Sequence, residues 1–178
     1  MNMTDASLGW IIGILVGIVL VVILLKAINK NGKAKTDYDE RQQIERGKAY
    51  KYGFYTMMIA CVLLLTLQIF EVDLSTLGLT TWVLPNFAGI IAQISYSIFH
   101  DAYEGLNTSM PRFVGIMTGI AVFNFAFALI SFGRIGLTEG GLLRPQFLNL
   151  LCGILFLIIA VELLVKKMMN NRGERDEA

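Results

Sequence analysis

Five apolar stretches, separated by joints that carry nearly all the charge, dominate this chain: Leu8–Leu25, Tyr52–Phe70, Trp82–Phe99, Phe113–Gly133 and Phe147–Val165. Four hold no charged residue and the fifth holds only Glu162. A hydrocarbon core about 30 Å thick needs roughly 20 apolar residues in a helix, so each stretch is long enough to span a bilayer. Single runs of this kind also occur in buried helices of soluble proteins. Five of them, in a chain 55% hydrophobic and 16% charged, leave too little polar surface to face water. The expected fold class is therefore all-α, an integral membrane bundle of five transmembrane helices.

The charges also give an orientation. Residues 26–51 carry eight Lys or Arg, 100–112 carry one and 166–178 carry four, thirteen of the fifteen in the chain. The alternate joints, 1–7 and 71–81, carry none, and 134–146 carries Arg134 and Arg144. The positive-inside bias then predicts N-out/C-in, with 26–51 a cytoplasmic basic linker and helix and 166–178 a cytoplasmic tail. The first stretch has no basic leader and no small-residue cleavage site before Lys26, so it reads as an uncleaved anchor and not a signal peptide. Lys26, Lys30, Lys33 and Lys35 come directly after it; topology accounts for them, and recognition of anionic headgroups is the alternative.

Thr36–Lys51 is the one substantial polar segment. Thr36-x-x-Asp39 resembles a capping box, and Asp37, Asp39 and Glu40 suit the positive end of a helix. Arg41 and Glu45 stand at pairing distance along such a helix. Nothing stops it before Phe70 except Gly47 and Gly53, which predicts a helix of about 34 residues whose first turns form a cytoplasmic extension of the second span.

Helix packing in lipid relies on small residues. Gly9, Gly13 and Gly17 in the first span, and Gly115 and Gly119 in the fourth, are the expected contact points, within the chain or between copies.

The third span is the most polar. At about 100° per residue, Asn86, Gly89, Gln93, Ser97, His100 and Glu104 fall on one stripe, with Phe87, Ile91, Ile94 and Ile98 opposite. Such a stripe is expected to turn inward, either lining a polar path with Asn124 of the fourth span facing it, or bonding neighbouring helices; the second is the commoner use of such residues. Glu162 lies one turn before Lys166, so an interfacial salt bridge between them is the expected arrangement.

Catalytic and metal chemistry find little support. One histidine excludes His-rich zinc motifs, and Cys61 and Cys152 both lie within spans. His100, Asp101 and Glu104 gather near the end of the third span without a nucleophile or a ligand set beside them. The reading is non-enzymatic, with no cofactor, no metal and no nucleic-acid partner.

Two stretches carry a resemblance. Asp39-Glu-Arg-Gln42 with Glu45-Arg-Gly-Lys-Ala-Tyr-Lys-Tyr-Gly-Phe-Tyr-Thr56 after it, and Asp101-Ala-Tyr-Glu-Gly-Leu-Asn107, resemble a group of small uncharacterised multi-pass membrane proteins of Gram-positive bacteria. The resemblance spans about residues 37 to 107 and implies the cytoplasmic membrane of a bacterium; it brings no activity with it. In the expected topology both motifs lie on the cytoplasmic side, where Asp39, Glu40, Arg41, Arg46, Asp101 and Tyr103 form a candidate docking surface or simply tie two helix ends together. The expected function is that of an accessory or regulatory subunit acting through a membrane-protein partner or a second copy, with a small transporter or channel using the third span as the alternative.

Overall fold

The computed structural model describes residues 37–105 and 110–176, together with Leu15, Val19, Val22 and Ile23. The chain forms two compact units, Met1–Asp37 and Tyr38–Ala178. In the first, those four residues are helical and exposed. The rest of the expected first span, with Gly9, Gly13, Gly17 and the four lysines after it, lies outside the described residues.

The second unit is helical. Helix α1 (Glu40–Ile69) leads through a 3₁₀ turn (Ser75–Leu77) to α2 (Thr80–Phe99); α3 (Met110–Ile135) leads through a two-stranded ribbon, β1 (Thr138–Glu139) and β2 (Leu142–Leu143), to α4 (Phe147–Asp176). The strands are antiparallel, with Thr138 opposite Leu143. All four helices are long and apolar enough to cross a membrane. Their large apolar side chains are widely uncovered, Ile59 at 69%, Phe123 at 66% and Leu129 at 69%, an arrangement that suits lipid and not water.

The helices pack as two antiparallel hairpins, α1 with α2 and α3 with α4, joined chiefly where α2 meets α4. One end of the unit holds the start of α1, the turn after Phe99 and the end of α4, and with them most of the basic residues; we call it the basic end. The opposite end holds the 70–79 loop and the ribbon, which touch through β2 and the 3₁₀ turn. The buried core consists of Ile98, Leu155, Ile159 and Leu163, with Phe87, Ile91, Ile94, Phe113 and Met117 packed around it. The apolar face of α2 thus turns into the core shared with α3 and α4, while Gly89 and Ser97 of the polar stripe are also buried, Gly89 against Gly53 of α1.

Several boundaries move for identifiable reasons. Helix α1 has 30 residues, about 45 Å at 1.5 Å per residue, because it is capped at Asp39 instead of Thr36. Helix α4 runs past the apolar stretch to Asp176, so residues expected as a separate tail continue the helix. Helix α2 begins at Thr80, which puts Pro85 inside it and not in its first turn, and deprives the Thr81 carbonyl of its usual donor four residues on.

Among the described residues, the close helix contacts within the chain do not use Gly115 or Gly119. A Cβ on Gly115 or Gly119 would meet nothing within 4 Å, and both residues are exposed. The tight crossing is at Gly53 and Gly89: a Cβ on Gly53 would come within 2.9 Å of the Gly89 carbonyl oxygen, and one on Gly89 within 2.8 Å of that of Gly53. In the second hairpin, a Cβ on Gly153 would stand 2.9 Å from the Phe125 ring. Single glycines, each facing a specific neighbour, bring the backbones together here.

Candidate functional site at the basic end

The start of α1 builds the first part of the site. The Asp39 carboxylate accepts from the Gln42 backbone N–H at 2.6 Å, and the Asp39 N–H donates to Gln42 Oε1 at 3.3 Å, a reciprocal cap three residues beyond the expected one. The other end of the Gln42 amide is then free to reach outward. Its Nε2 donates to the carbonyl of Asp101 at 2.8 Å and to that of Glu104 at 3.1 Å. Gln42 is buried and uses its amide in full.

The end of α2 supplies those carbonyls. The N–H of Ala102 bonds Ser97 and that of Asp101 bonds Ile98, closing the helix in a Schellman turn. Asp101 occupies the left-handed position at φ 57°, where glycine is usual. This conformation places its backbone against Gln42 and its carboxylate against α4. Lys166, buried at 8% exposure, lies 3.0 Å from Asp101 Oδ1 in an ion pair, donates to Oδ2 at 3.1 Å, and donates to the Phe99 carbonyl at 3.3 Å. Three helix ends are thereby joined through one residue.

A second group of contacts lies beside the first. Tyr38 donates to the Tyr103 carbonyl at 3.5 Å, and the Arg46 guanidinium lies 4.0 Å from the Tyr38 ring centre. Tyr103 packs on Phe113 of α3. Glu45 accepts from Lys48 and from the Tyr96 hydroxyl, both at 2.8 Å, and the Tyr96 ring stacks on His100 with centres 3.8 Å apart. The expected Arg41–Glu45 pair is replaced, because Glu45 faces α2 and Lys48 is near enough to share it. His100 Nδ1 is 2.9 Å from the Tyr96 carbonyl; a carbonyl only accepts, so Nδ1 carries the proton.

Charge and burial tune these groups. The hydrogen bond from Lys48, then that from Tyr96, hold the Glu45 carboxyl below its usual value, and Glu45 raises the Lys48 ammonium in turn. Glu104 goes the other way: burial, and then the nearby Asp101 charge, push it up. Its Oε1 is buried with no hydrogen-bond partner among the described residues. Glu104, Gln42 and Asp101 line a cavity of about 210 Å³ that reaches Leu163 and Asn170 of α4.

Of the expected polar stripe, little acts across helices. Asn86 is exposed and donates to its own helix at Trp82, Ser97 donates to the Gln93 carbonyl, and Asn124 donates to Ile120. Gln93 lies against Gly53 of α1. Asn124 is on α3, whose main neighbour is α4, so it does not face the stripe. Glu104 falls off the stripe altogether, because α2 ends at Phe99 and the turn beyond re-aims the chain. The candidate docking residues divide similarly: Asp39, Arg46, Asp101 and Tyr103 belong to the joined helix ends, while Glu40 and Arg41 stay exposed on α1.

No family model, curated protein or solved structure matches this chain. The reading of the site therefore rests on its own geometry.

Three participants, Gln42, Lys166 and Ser95, do not stand out as site residues in the sequence. Gln42 is visible there as the fourth residue of Asp39-x-x-Gln42, a capping-box pattern three residues along from that of Thr36. Lys166 is expected to pair with Glu162, which instead accepts a hydrogen bond from Ser95 of α2 at 2.7 Å and leaves Oε2 buried without a partner among the described residues. No spacing rule within one helix reveals Ser95, since the pairing crosses between hairpins.

Proposed function

We propose that the chain is a non-enzymatic multi-pass protein of a bacterial cytoplasmic membrane, N-terminus outside and C-terminus inside. In this reading it serves as an accessory or regulatory subunit that presents a fixed cytoplasmic surface to a protein partner. The observation that carries this is Gln42, whose one amide ties the start of α1 to the Asp101–Glu104 turn. Ordering a loop this thoroughly lowers the conformational entropy that a partner would otherwise have to remove on binding. Beside the ordered turn, the three turns of α1 before the membrane offer Glu40, Arg41 and Ile44, the last at 61% exposure. The same two motifs carry the resemblance to Gram-positive membrane proteins, which is consistent with a shared role for the surface.

A photo-crosslinking residue in place of Ile44, with one in place of lipid-facing Leu129 as control, tests this in native membranes. One discrete protein adduct is expected at position 44, absent at 129 and lost on combined Glu40→Arg and Arg41→Glu. Identical adducts at both positions, or none at 44, would count against the proposal.

A small transporter is the second reading, favoured by one observation: Ser95 and Glu162 bond across the hairpins within the membrane-spanning part, and one carboxylate oxygen has no partner among the described residues. It requires that Ser95→Ala and Glu162→Gln abolish a measurable proton or cation flux in proteoliposomes; unchanged flux excludes that route.

A further inference from the structure

At the end opposite the basic one, α1, the 70–79 loop and the start of α2 enclose a cavity of about 640 Å³. That volume lies within the roughly 300–1,000 Å³ typical of small-molecule sites. Its walls include the apolar Leu64, Leu65 and Cys61 from α1 and Pro85 from α2. Its rim is acidic, with Glu71 and Asp73 both lining it. None of the described residues lining it is basic, and Arg144, the nearest arginine in sequence to the ribbon's contact with this loop, is engaged by Glu139.

Asp73 is held as an anion, because Ser75 bonds its carboxylate and keeps it below the usual range. Glu71 is more telling. Helix α1 closes in a Schellman turn, Val72 N–H to Leu67 and Glu71 N–H to Gln68, and Glu71 takes the left-handed position at φ 58°. A side chain with a β-methylene is disfavoured there relative to glycine, and local backbone strain of this sort is characteristic of functional positions. The rim offers two further features that attract a cation. Trp82, 68% exposed, presents an indole whose face favours ammonium groups. Pro85 leaves the Thr81 carbonyl without its helical donor, and both residues line the same cavity.

We infer that this cavity binds a small amphipathic cation, its apolar tail between α1 and α2 and its ammonium head at Glu71, Asp73 and Trp82. The acidic rim and the aromatic face select the head; the apolar walls hold the tail without selecting among tails of similar size. In the orientation proposed above, on which the direction of arrival rests, this end faces outside and the ligand arrives from the extracytoplasmic face. Because the cavity is built wholly at this end, the inference stands whether or not the basic end docks a partner.

The test uses the full chain in phosphatidylcholine nanodiscs, with Trp10→Phe so that Trp82 is the single indole. Dodecyltrimethylammonium, below its micellar concentration, is expected to change Trp82 emission saturably and to protect Cys61 from a maleimide in a Cys152→Ala background. Dodecanol and dodecyl sulfate should bind at least tenfold more weakly. Glu71→Gln with Asp73→Asn should weaken the ammonium by at least tenfold while leaving dodecanol unchanged. Leu65→Phe, which keeps the charges and fills the walls, should weaken every probe; it decides the matter if the charge variant fails to fold. Equal binding of all three probes would show a groove for lipid tails alone and overturn the inference, as would an unchanged ammonium affinity in the charge variant.

Discussion

Lys166 Nζ lies 3.0 Å from Asp101 Oδ1, on a different helix end, and has no bond to Glu162 one turn before it. The pairing across the fold displaces the pairing along the helix because Lys166 also gains the Phe99 carbonyl, which an in-helix salt bridge does not supply. Half of the Asp101 side chain is exposed, so the ion pair alone contributes modestly; burial of Lys166 raises what is at stake. Asp101→Asn is expected to lower stability by about 1–2 kcal/mol, the scale of a lost charge-assisted hydrogen bond. Lys166→Met should cost a similar amount. The double variant should lose less than the sum, with a coupling of roughly 1 kcal/mol by thermal unfolding in detergent. Glu162→Gln should leave that coupling intact.

Gly53→Ala and Gly89→Ala each force a methyl group against a neighbouring backbone oxygen. Neither backbone can yield without parting α1 from α2, so each substitution should destabilise by about 1–3 kcal/mol. Gly115→Ala and Gly119→Ala, with open space around them, should be neutral or stabilising by up to about 1 kcal/mol through helix propensity. Comparing the four melting temperatures checks the assignment of the crossing point.

Glu71→Gly relieves a left-handed residue at the end of α1. The gain should be about 1 kcal/mol, the usual cost of an L-residue in that conformation. The same substitution should reduce binding of an ammonium amphiphile at the neighbouring cavity. A variant that is both more stable and poorer at binding would show that the strain is retained for function.

Glu104 is held above its ordinary value of about 4.3, so its protonated form suits the folded state better than its ionised form. A group raised in this way contributes stability that is fully present below its unfolded value and is lost as pH rises through its folded one. Unfolding of the wild type should therefore show a loss of stability over that window that Glu104→Gln lacks. The variant should match the wild type in acid and exceed it at neutral pH. Glu45 runs oppositely: its stabilising contribution is present above the usual carboxylate range and fades as pH falls through its lowered value. Glu45→Gln in the Glu104→Gln background should flatten the acid limb.

The helices were legible in the sequence because lipid demands long apolar runs, and four of the expected spans recur within helices that cover them. The meeting of the two motifs was legible as one of two outcomes, both placing Asp39 near Asp101. What escaped the sequence were choices between neighbours. Thr36 and Asp39 both begin a plausible cap, and the position of Gln42 decides between them. Glycine spacing found Gly115 and Gly119, which are uncovered, and passed over Gly53 and Gly89, whose facing depends on the crossing of two helices 36 residues apart in their contact. Both left-handed helix ends, at Glu71 and Asp101, lack the glycine that would have announced them. Along the polar stripe the side chains of Asn86 and Ser97 satisfy themselves on their own helix carbonyls, as Asn124 does on α3, while Gly89 and Gln93 meet α1 at Gly53, a contact that a shared face allows without naming its partner.

The bond from Lys166 spans 65 residues of chain, and it closes the turn that Gln42 holds from the other side. During synthesis the first hairpin emerges complete long before its last clasp exists. The Asp101 carboxylate must therefore wait, solvated, until Lys166 has left the ribosome. The turn that sets only at that moment distinguishes a chain carrying its last helix from one cut short before Lys166.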